Sequence, residues 1–442
     1  MPYNKTLNHK IWALAWPIII SNLSIPLLGL VDTAILGHLD SAHYLAAVAV
    51  GSSVLTFLYW GFGFLRMGTT GFAAQAYGTK NHQASRQLAA QSLLMGAVIG
   101  IALLLTSPWL LQLGLSLIEA PANAQALALS YTQIRIFSAP AVLINYAIIG
   151  WLIGHQNTRW PLLIMLLTNA SNILLDLWFV IGLKLNSDGA AWATLIAEYL
   201  GCGLALYALK RQLGPMSGAL QWPPLLQWHN YHALLKVNRH LFVRTLALLA
   251  SFAFFTAQGA QQGEIILAAN AILMQLVMLS SYGMDGFAHA SEALVGDAVG
   301  RRNHRQFIAS CRGCAFWAAL SALLFSLAFY LLGEHLLPLF SNIDAVVHSA
   351  KQYFPWVIAL PLLAVASYCL DGIFIGASQS QAMQYSMLFS CFLVYIPCWY
   401  FSQHWGNHGL WFAFAAFNLT RGISLGYYFY RYNKQRYWYP AH

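Results

Sequence analysis

Twelve long apolar runs, separated by short polar breaks, govern what this chain of 442 residues can become. A helix of about 20 apolar residues crosses a bilayer. The runs fall at 11–37, 43–77, 86–113, 125–154, 160–183, 189–213, 238–262, 266–298, 306–333, 346–377, 381–403 and 409–432. Charged residues are only 8% of the chain, against about 25% in soluble domains, too few to coat a surface in water. A soluble globular, disordered or collagen-like chain is excluded. An all-α polytopic membrane protein of twelve transmembrane helices is expected, because helices satisfy their own backbone groups in lipid. Several runs exceed one crossing and predict tilt or kinks. The start, MPYNKTLNHK, is short and basic. It leads into an apolar run with no small-residue cleavage site, and reads as the approach to the first helix.

Lys and Arg placement orients the helices. With a cytoplasmic N-terminus, 17 of the 22 basic residues fall inside and two, Lys184 and Lys351, outside; Arg66, Arg135 and Arg421 lie within runs. This asymmetry supports twelve crossings and cytoplasmic termini. The net charge of +9 thus serves orientation, and no basic run interleaved with aromatics suggests a nucleic-acid partner. Cys311 and Cys314 form one CxxC without a second pair or a His set. The cysteines read as small buried hydrophobes, with no metal site.

The two halves resemble each other at a shift of 222 residues. Leu45-Ala46-Ala47 matches Leu267-Ala268-Ala269, Gly78 matches Gly300, and Asn81-His82 matches Asn303-His304. Tyr131, Tyr146, Gly150 and Gly154 match Tyr353, Tyr368, Gly372 and Gly376, with one gap and its reversal around Pro140 and Pro361. An N-terminal lobe (1–213), a cytoplasmic linker with Pro and Gly (214–237) and a C-terminal lobe (238–442) follow. Six spans per lobe predict a pseudo-twofold axis along the membrane normal and a substrate path between the lobes.

Of the 13 acidic residues, Asp40, Glu119, Asp188, Glu264, Glu334 and Asp344 fall in or beside loops and read as solvated charges. Asp32, Asp176, Glu198, Asp285, Glu292 and Asp371 fall inside runs, and Asp297 lies near a cytoplasmic helix end. An ionised carboxylate at mid-membrane costs about 2.5–3.5 kcal/mol, so each needs a partner, water or a proton. Counting residues from the helix ends places Asp32 and Asp176 in the outer half, where Thr194 and Glu198 begin the sixth helix. Asn172 and Asp176 are four apart on one face. These groups converge at one depth in the N-terminal lobe, as an ion-coupling site or as a polar network that specifies packing. Pro26, six residues before Asp32, offers a hinge. The 222 shift sets Asp32 opposite Phe254 and Asp176 near Ile396–Cys398, so neither acid is repeated. In the C-terminal lobe, Asp285 and Glu292 lie two turns apart on one face with His289 between them, and Arg421 can neutralise one of the three acids there. Substrate or ion binding and a structural ion pair both remain open for Asp285, Glu292 and Asp371. Aromatic residues form interfacial belts, and a few suit a cavity for cationic compounds.

No GxxxxGK[ST], HExxH or GxSxG motif is present, so no enzyme is expected. Transport driven by an ion gradient then needs a titrating or coordinating group within the membrane.

The chain resembles the multidrug and toxic compound extrusion (MATE) transporters in their DinF-like branch. The stretches that carry the resemblance are PLLGLVDTAILGHL (Pro26–Leu39), LRMGTTGFAAQAYG (Leu65–Gly78), TNASNILLDLWFVIG (Thr168–Gly182), GAAWATLIAEY (Gly189–Tyr199) and YCLDGIFIGA (Tyr368–Ala377). The likeness covers about residues 8–432. It implies a secondary antiporter of a bacterial inner membrane that exports amphipathic, cationic drug-like compounds in exchange for protons or sodium ions. No cofactor is implied beyond the coupling ion, and no partners beyond small molecules and membrane lipids; the protein is expected to be a monomer. Asp32 matches the family's coupling acid, and Asn172, Asp176 and Thr194 match its fifth- and sixth-helix residues; Asn145 is a further match on the fourth helix. All are oxygen ligands, suited to a proton or to Na⁺. A flippase for lipid-linked sugars is the alternative. It would want a basic cavity, and three basic residues against six acids within the runs disfavour it.

Overall fold

The computed structural model describes residues 5–37, 39, 41–117 and 122–438; His38, Asp40 and Glu119 lie outside these, as does the side chain of Glu334. Among the described residues every regular element is helical. The first six spans are built from α1 (Lys5–Gly37), α2 (Ala42–Gly61) with α3 (Phe64–Gly78), α4 (His82–Leu117), α5 (Ala122–Arg135) with α6 (Ala139–Gly154), α7 (Arg159–Asp176) and α8 (Asn186–Leu213). A short helix α9 (Trp222–Leu226) lies in the linker. The remaining spans are α10 (His232–Gln261), α11 (Glu264–Gly300), α12 (His304–Phe340), α13 (Asp344–Gly376), α14 (Ser380–Leu388) with α15 (Ile396–Ser402), and α16 (Asn407–Gln435). Eleven helical stretches among the described residues are long and apolar enough to cross a membrane. The twelfth, α16, has 29 residues, about 43 Å of helix, with Asn418 and Arg421 buried along it.

The fifth span of each half changes winding midway. A π-helical segment, Leu177–Gly182, follows Asp176 directly, and another, Phe389–Tyr395, joins α14 to α15. A 3₁₀ turn, Ile136–Ser138, joins α5 to α6. Such segments release backbone groups from the regular ladder and are common at functional positions.

The chain divides into two compact units, one of residues 20–234 and one of residues 1–19 with 235–442. The boundary falls inside α1. Its first part packs in the second unit: Trp12 meets Phe287 and Trp317 edge to face, and Trp317 Nε1 donates to Asn8 Oδ1 at 3.2 Å. The linker is pinned within the first unit. Arg86 donates to the carbonyls of Leu213 and Met216, Gln83 Nε2 donates to Ala219 O at 2.8 Å, and Leu225 and Tyr231 are buried.

The 222-residue repeat holds in atomic detail. Asn81 Oδ1 caps α4 by accepting from Ala84 N at 2.9 Å, and Asn303 Oδ1 caps α12 from Gln306 N at 3.0 Å. Lys80 and Arg302 share a left-handed backbone, with φ of 54° and 52°, as do Gln156 and Ser378, with 58° and 55°. These are the residues that turn one span into the next. A Cβ on Gly150 would lie 2.4 Å from the Arg66 carbonyl oxygen, and one on Gly372 would lie 2.3 Å from that of Ala288. Gly154 and Gly376 press in the same way on the carbonyls of Thr70 and Glu292. Each contact maps onto the other at the same shift, so small residues let the backbones of α3 and α6, and of α11 and α13, approach closely.

Two outcomes are expected. Gly150→Ala lowers stability by about 1–3 kcal/mol through overpacking against backbone, whereas Gly203→Ala, with nothing within 4 Å of its Cβ, leaves it level; melting of the purified variants in detergent checks both. The second concerns His155, buried in the turn after α6 with Trp151 O at 2.9 Å from Nδ1 and Ser85 Oγ at 3.1 Å from Nε2. Burial pushes its imidazole down from 6.5 to about 4. The unfolded chain therefore takes up the proton first. Stability falls as the pH drops from about 6.5 to about 4, by up to about 3 kcal/mol. His155→Gln flattens the melting profile between pH 7 and 5; an unchanged slope would contradict this assignment.

Candidate functional site

Asp32 enters the first unit from the second part of α1, and Asp176 from the end of α7. Two polar rungs join these helices. Asn169 Nδ2 donates to Ser24 Oγ at 2.9 Å, and two turns further along the helices the carboxyls of Asp32 and Asp176 meet within hydrogen-bond reach. Helix α8 closes the third side. Gly201 admits it against α7, since a Cβ there would lie 2.1 Å from Thr168 Oγ1. One turn beyond Thr168, Asn172 Nδ2 donates to Thr194 Oγ1 at 3.0 Å, and Thr194 donates to Ala190 O at 2.9 Å.

Asp32, Asp176, Thr194 and Tyr131 line a small cleft with Ile35, Leu36, Val48 and Ala190. About 10 Å³ of it is open to the centre of a water, room for about one water or one small ion. Asp176 and Asn172 are buried, and Asp32 is half-buried. The Oδ1 atoms of Asp32, Asp176 and Asn172 are all buried without a hydrogen-bond partner among the described residues. Buried acceptors without donors are uncommon in folded proteins. Asp32 and Asp176 line the cleft themselves, and Asn172 reaches its wall through Thr194.

Asn145 and Glu198 lie apart from this cleft. Asn145 is on α6, with its amide nitrogen near Gly201 and its Oδ1 buried without a hydrogen-bond partner among the described residues. Glu198, half-buried on α8, faces Arg135 and lies within electrostatic reach of Tyr59 and Tyr146. Arg135 and Tyr131 carry no site role in the sequence reading, yet both approach the acids. Arg135 was legible only as an in-span charge, because nothing local ties it to acids on three other helices. Pro26 lies within α1, which runs as one helix from Lys5 to Gly37.

The second unit arranges its acids differently. Asp371 on α13 accepts from Arg244 of α10 and from Arg421 of α16, the latter at 2.9 Å, and Asn418 Oδ1 accepts from Arg421 Nη1 at 3.3 Å. Arg421 as a neutralising partner agrees with the sequence expectation. Arg244 is a correction: counted above with the cytoplasmic charges, it is buried 12 residues into α10, about 18 Å along the helix. Its charge is tolerated there because Asp371 meets it. Asp285 is half-buried close to Tyr282 and Tyr368, while Glu292 is buried with His289 Nδ1 3.8 Å away. The described residues hold no group of three or more metal-ligating side chains placed for a metal.

Two helical units of common design, built of long apolar helices that bury ionisable groups, define a multi-pass membrane protein. Residues 17–178 and 241–401 both match the MatE family, one segment in each half. The chain is 38% identical over 449 residues to DNA damage-inducible protein F of Escherichia coli, covering 100% of this chain and 96% of that protein. It is 24% identical over 350 residues to a probable multidrug resistance protein NorM of Thermotoga maritima, covering 78% and 75% of the two chains. A MOP superfamily transporter from Pyrococcus furiosus shares the fold with a TM-score of 0.86 at 20% identity, over 95% of this chain and 94% of that one. The chain belongs to the MatE family and is a transporter, not an enzyme.

The two acidic centres are expected to respond oppositely to neutralisation. Asp371→Asn strands two buried guanidinium groups and lowers stability by about 3–5 kcal/mol. Asp32→Asn removes one of two facing carboxyls and leaves stability level or higher. Melting of both variants in one detergent at neutral pH checks the contrast, and equal losses would refute it.

Proposed function

We propose that this transporter is a secondary antiporter that exports amphipathic, cationic drug-like compounds, with the Asp32–Asp176 pair as its coupling-ion site. The observation that carries the reading is the meeting of two carboxyls in a cleft of about one water, each with its Oδ1 buried and without a donor among the described residues. Two facing carboxylates repel each other unless a proton or a cation lies between them. The cleft is too small for a drug and suits an ion. Thr194 supplies a further oxygen at its wall, with Asn172 bonded to it, fitting a proton relay or a Na⁺ shell. An ion gradient is the energy source the site can use, and no other cofactor enters.

An ion arriving from outside removes the repulsion between α1 and α7. Pro26 leaves the carbonyl of Asn22 without its helical donor, so bending of α1 between Asn22 and Pro26 is the motion proposed to pass this change to the drug site. Acids in a transport cavity also concentrate cationic substrates. We place the protein in a bacterial cytoplasmic membrane, as a monomer with both termini and the linker inside, on the strength of the charge asymmetry and the bacterial relatives. The flippase alternative requires basic residues for a pyrophosphate, and two of the four in-span arginines are engaged by Asp371.

In liposomes, the purified protein should move a cationic dye against its gradient when a pH or a sodium gradient is imposed. The gradient that suffices identifies the ion. Asp32→Asn should abolish gradient-driven movement while the folded variant still binds dye. Normal gradient-driven export by that variant would sink the reading.

A further inference from the structure

We propose that Arg135 is a tethered internal cation that alternates between two partners, the Asp32–Asp176 pair and Glu198, and thereby links ion occupancy of the pair to the packing of α5 against α8. The inference rests on the pair being the ion site. Arg135 is the last residue of α5, at the 3₁₀ turn. Its backbone is held: Tyr59 Oη donates to Arg135 O at 3.4 Å and lies 3.2 Å from Ser138 Oγ. Its side chain is not held. Nε and Nη1 are buried without a hydrogen-bond partner among the described residues.

A guanidinium within a span needs an anion beside it, and two sets of acids act on it electrostatically. Asp32 of α1 and Asp176 of α7 form one, and Glu198 of α8 forms the other. The other titratable groups facing it are Tyr131 of its own helix and Tyr59 of α2; Tyr146 of α6 and Cys202 of α8 face Glu198, and Arg66 of α3 faces Tyr146. The charges make the alternation self-consistent. When the pair has lost its ion it carries two negative charges and outcompetes Glu198 for the guanidinium. When the pair takes up an ion, one negative charge remains there, and Arg135 turns to Glu198. Because Arg135 and Glu198 are on helices that pack together, the exchange alters that contact at each cycle. Neither residue serves the common fold, since Val357 and Thr420 occupy the repeat-related positions.

The test follows the pH midpoint of efflux in liposomes together with that of the carboxylic-acid carbonyl band in infrared difference spectra. Arg135→Gln removes a cation from beside the pair, so the pair keeps its proton to higher pH and both midpoints rise, by about one unit or more. Arg135→Lys keeps the charge and the midpoints. Glu198→Gln leaves Arg135 committed to the pair, and the midpoints fall. If sodium is the ion, the half-saturating concentration moves instead, downward for Arg135→Gln and upward for Glu198→Gln. Shifts in the same direction, or none, overturn the proposal. Should Arg135→Gln fail to fold because Glu198 is stranded, the neutral double variant Arg135→Gln/Glu198→Gln must still raise the midpoint. Failure of the double variant to fold overturns the proposal as well, by making the two residues structural. Retention of band and efflux by Asp32→Asn would instead refute the pair as the ion site. Loss of both there, with unmoved midpoints in Arg135→Gln, would refute only the role of Arg135.

Discussion

A carboxylate inside a membrane span must have a proton, a cation or a fixed positive charge beside it, and the two halves of this chain meet that demand in opposite ways. In the second unit Asp371 is closed off by Arg244 and Arg421, so the charges cancel within the protein apart from one positive surplus. In the first unit Asp32 and Asp176 meet each other, and the nearest cation, Arg135, is hydrogen-bonded to neither through Nε or Nη1. An ion pair completed by the protein has little to gain from an arriving ion. A carboxyl pair left short of positive charge has much to gain. On the proposed reading, the difference in partners makes the first unit the responsive half.

The internal repeat separates residues that build the architecture from residues that use it. The caps Asn81 and Asn303, the left-handed turns at Lys80 and Arg302, and the glycine contacts at Gly150 and Gly372 recur because both units face the same problem of ending a span and packing helices closely. Asp32, Arg135, Asp176 and Glu198 have no such counterparts. A charge buried in one half alone adds nothing that the other half needs in order to fold. Its presence calls for a reason outside the shared fold, and on the proposed reading ion coupling supplies one.

What the sequence made legible follows the range of the signals. Spans, turns and the repeat are local or periodic, and they reappear with only small shifts of boundary. Asn172 and Thr194 were placed at a common depth by counting helical rise from the span ends, and they bond directly. Arg244 defeated the same method. A basic residue near a cytoplasmic helix end looks like an orienting charge until its partner, 127 residues away in sequence, is brought to it. The winding change at Phe389–Tyr395 contains no Gly or Pro, and the one after Asp176 has only Gly182 at its end, so long regular helices were expected there.

The position of Asp32 in the chain gives the responsive centre mechanical leverage. Helix α1 is not the property of one unit: residues up to Ile19 group with α10–α16, and residues from Ile20 group with α2–α8. Near the start of the helix Ala15 and Ile19 are locked against Gly286, where a Cβ would lie 2.9 Å from Ala15 O and 2.4 Å from the Ile19 side chain. At its other end Asp32 answers to Asp176. Pro26 interrupts the hydrogen-bond ladder between these two attachments. A force arising at the carboxyl pair therefore acts on a helix fixed elsewhere at its far end, and the compliance lies in between. On the proposed reading, the ion site therefore lies on a helix whose two parts belong to different units.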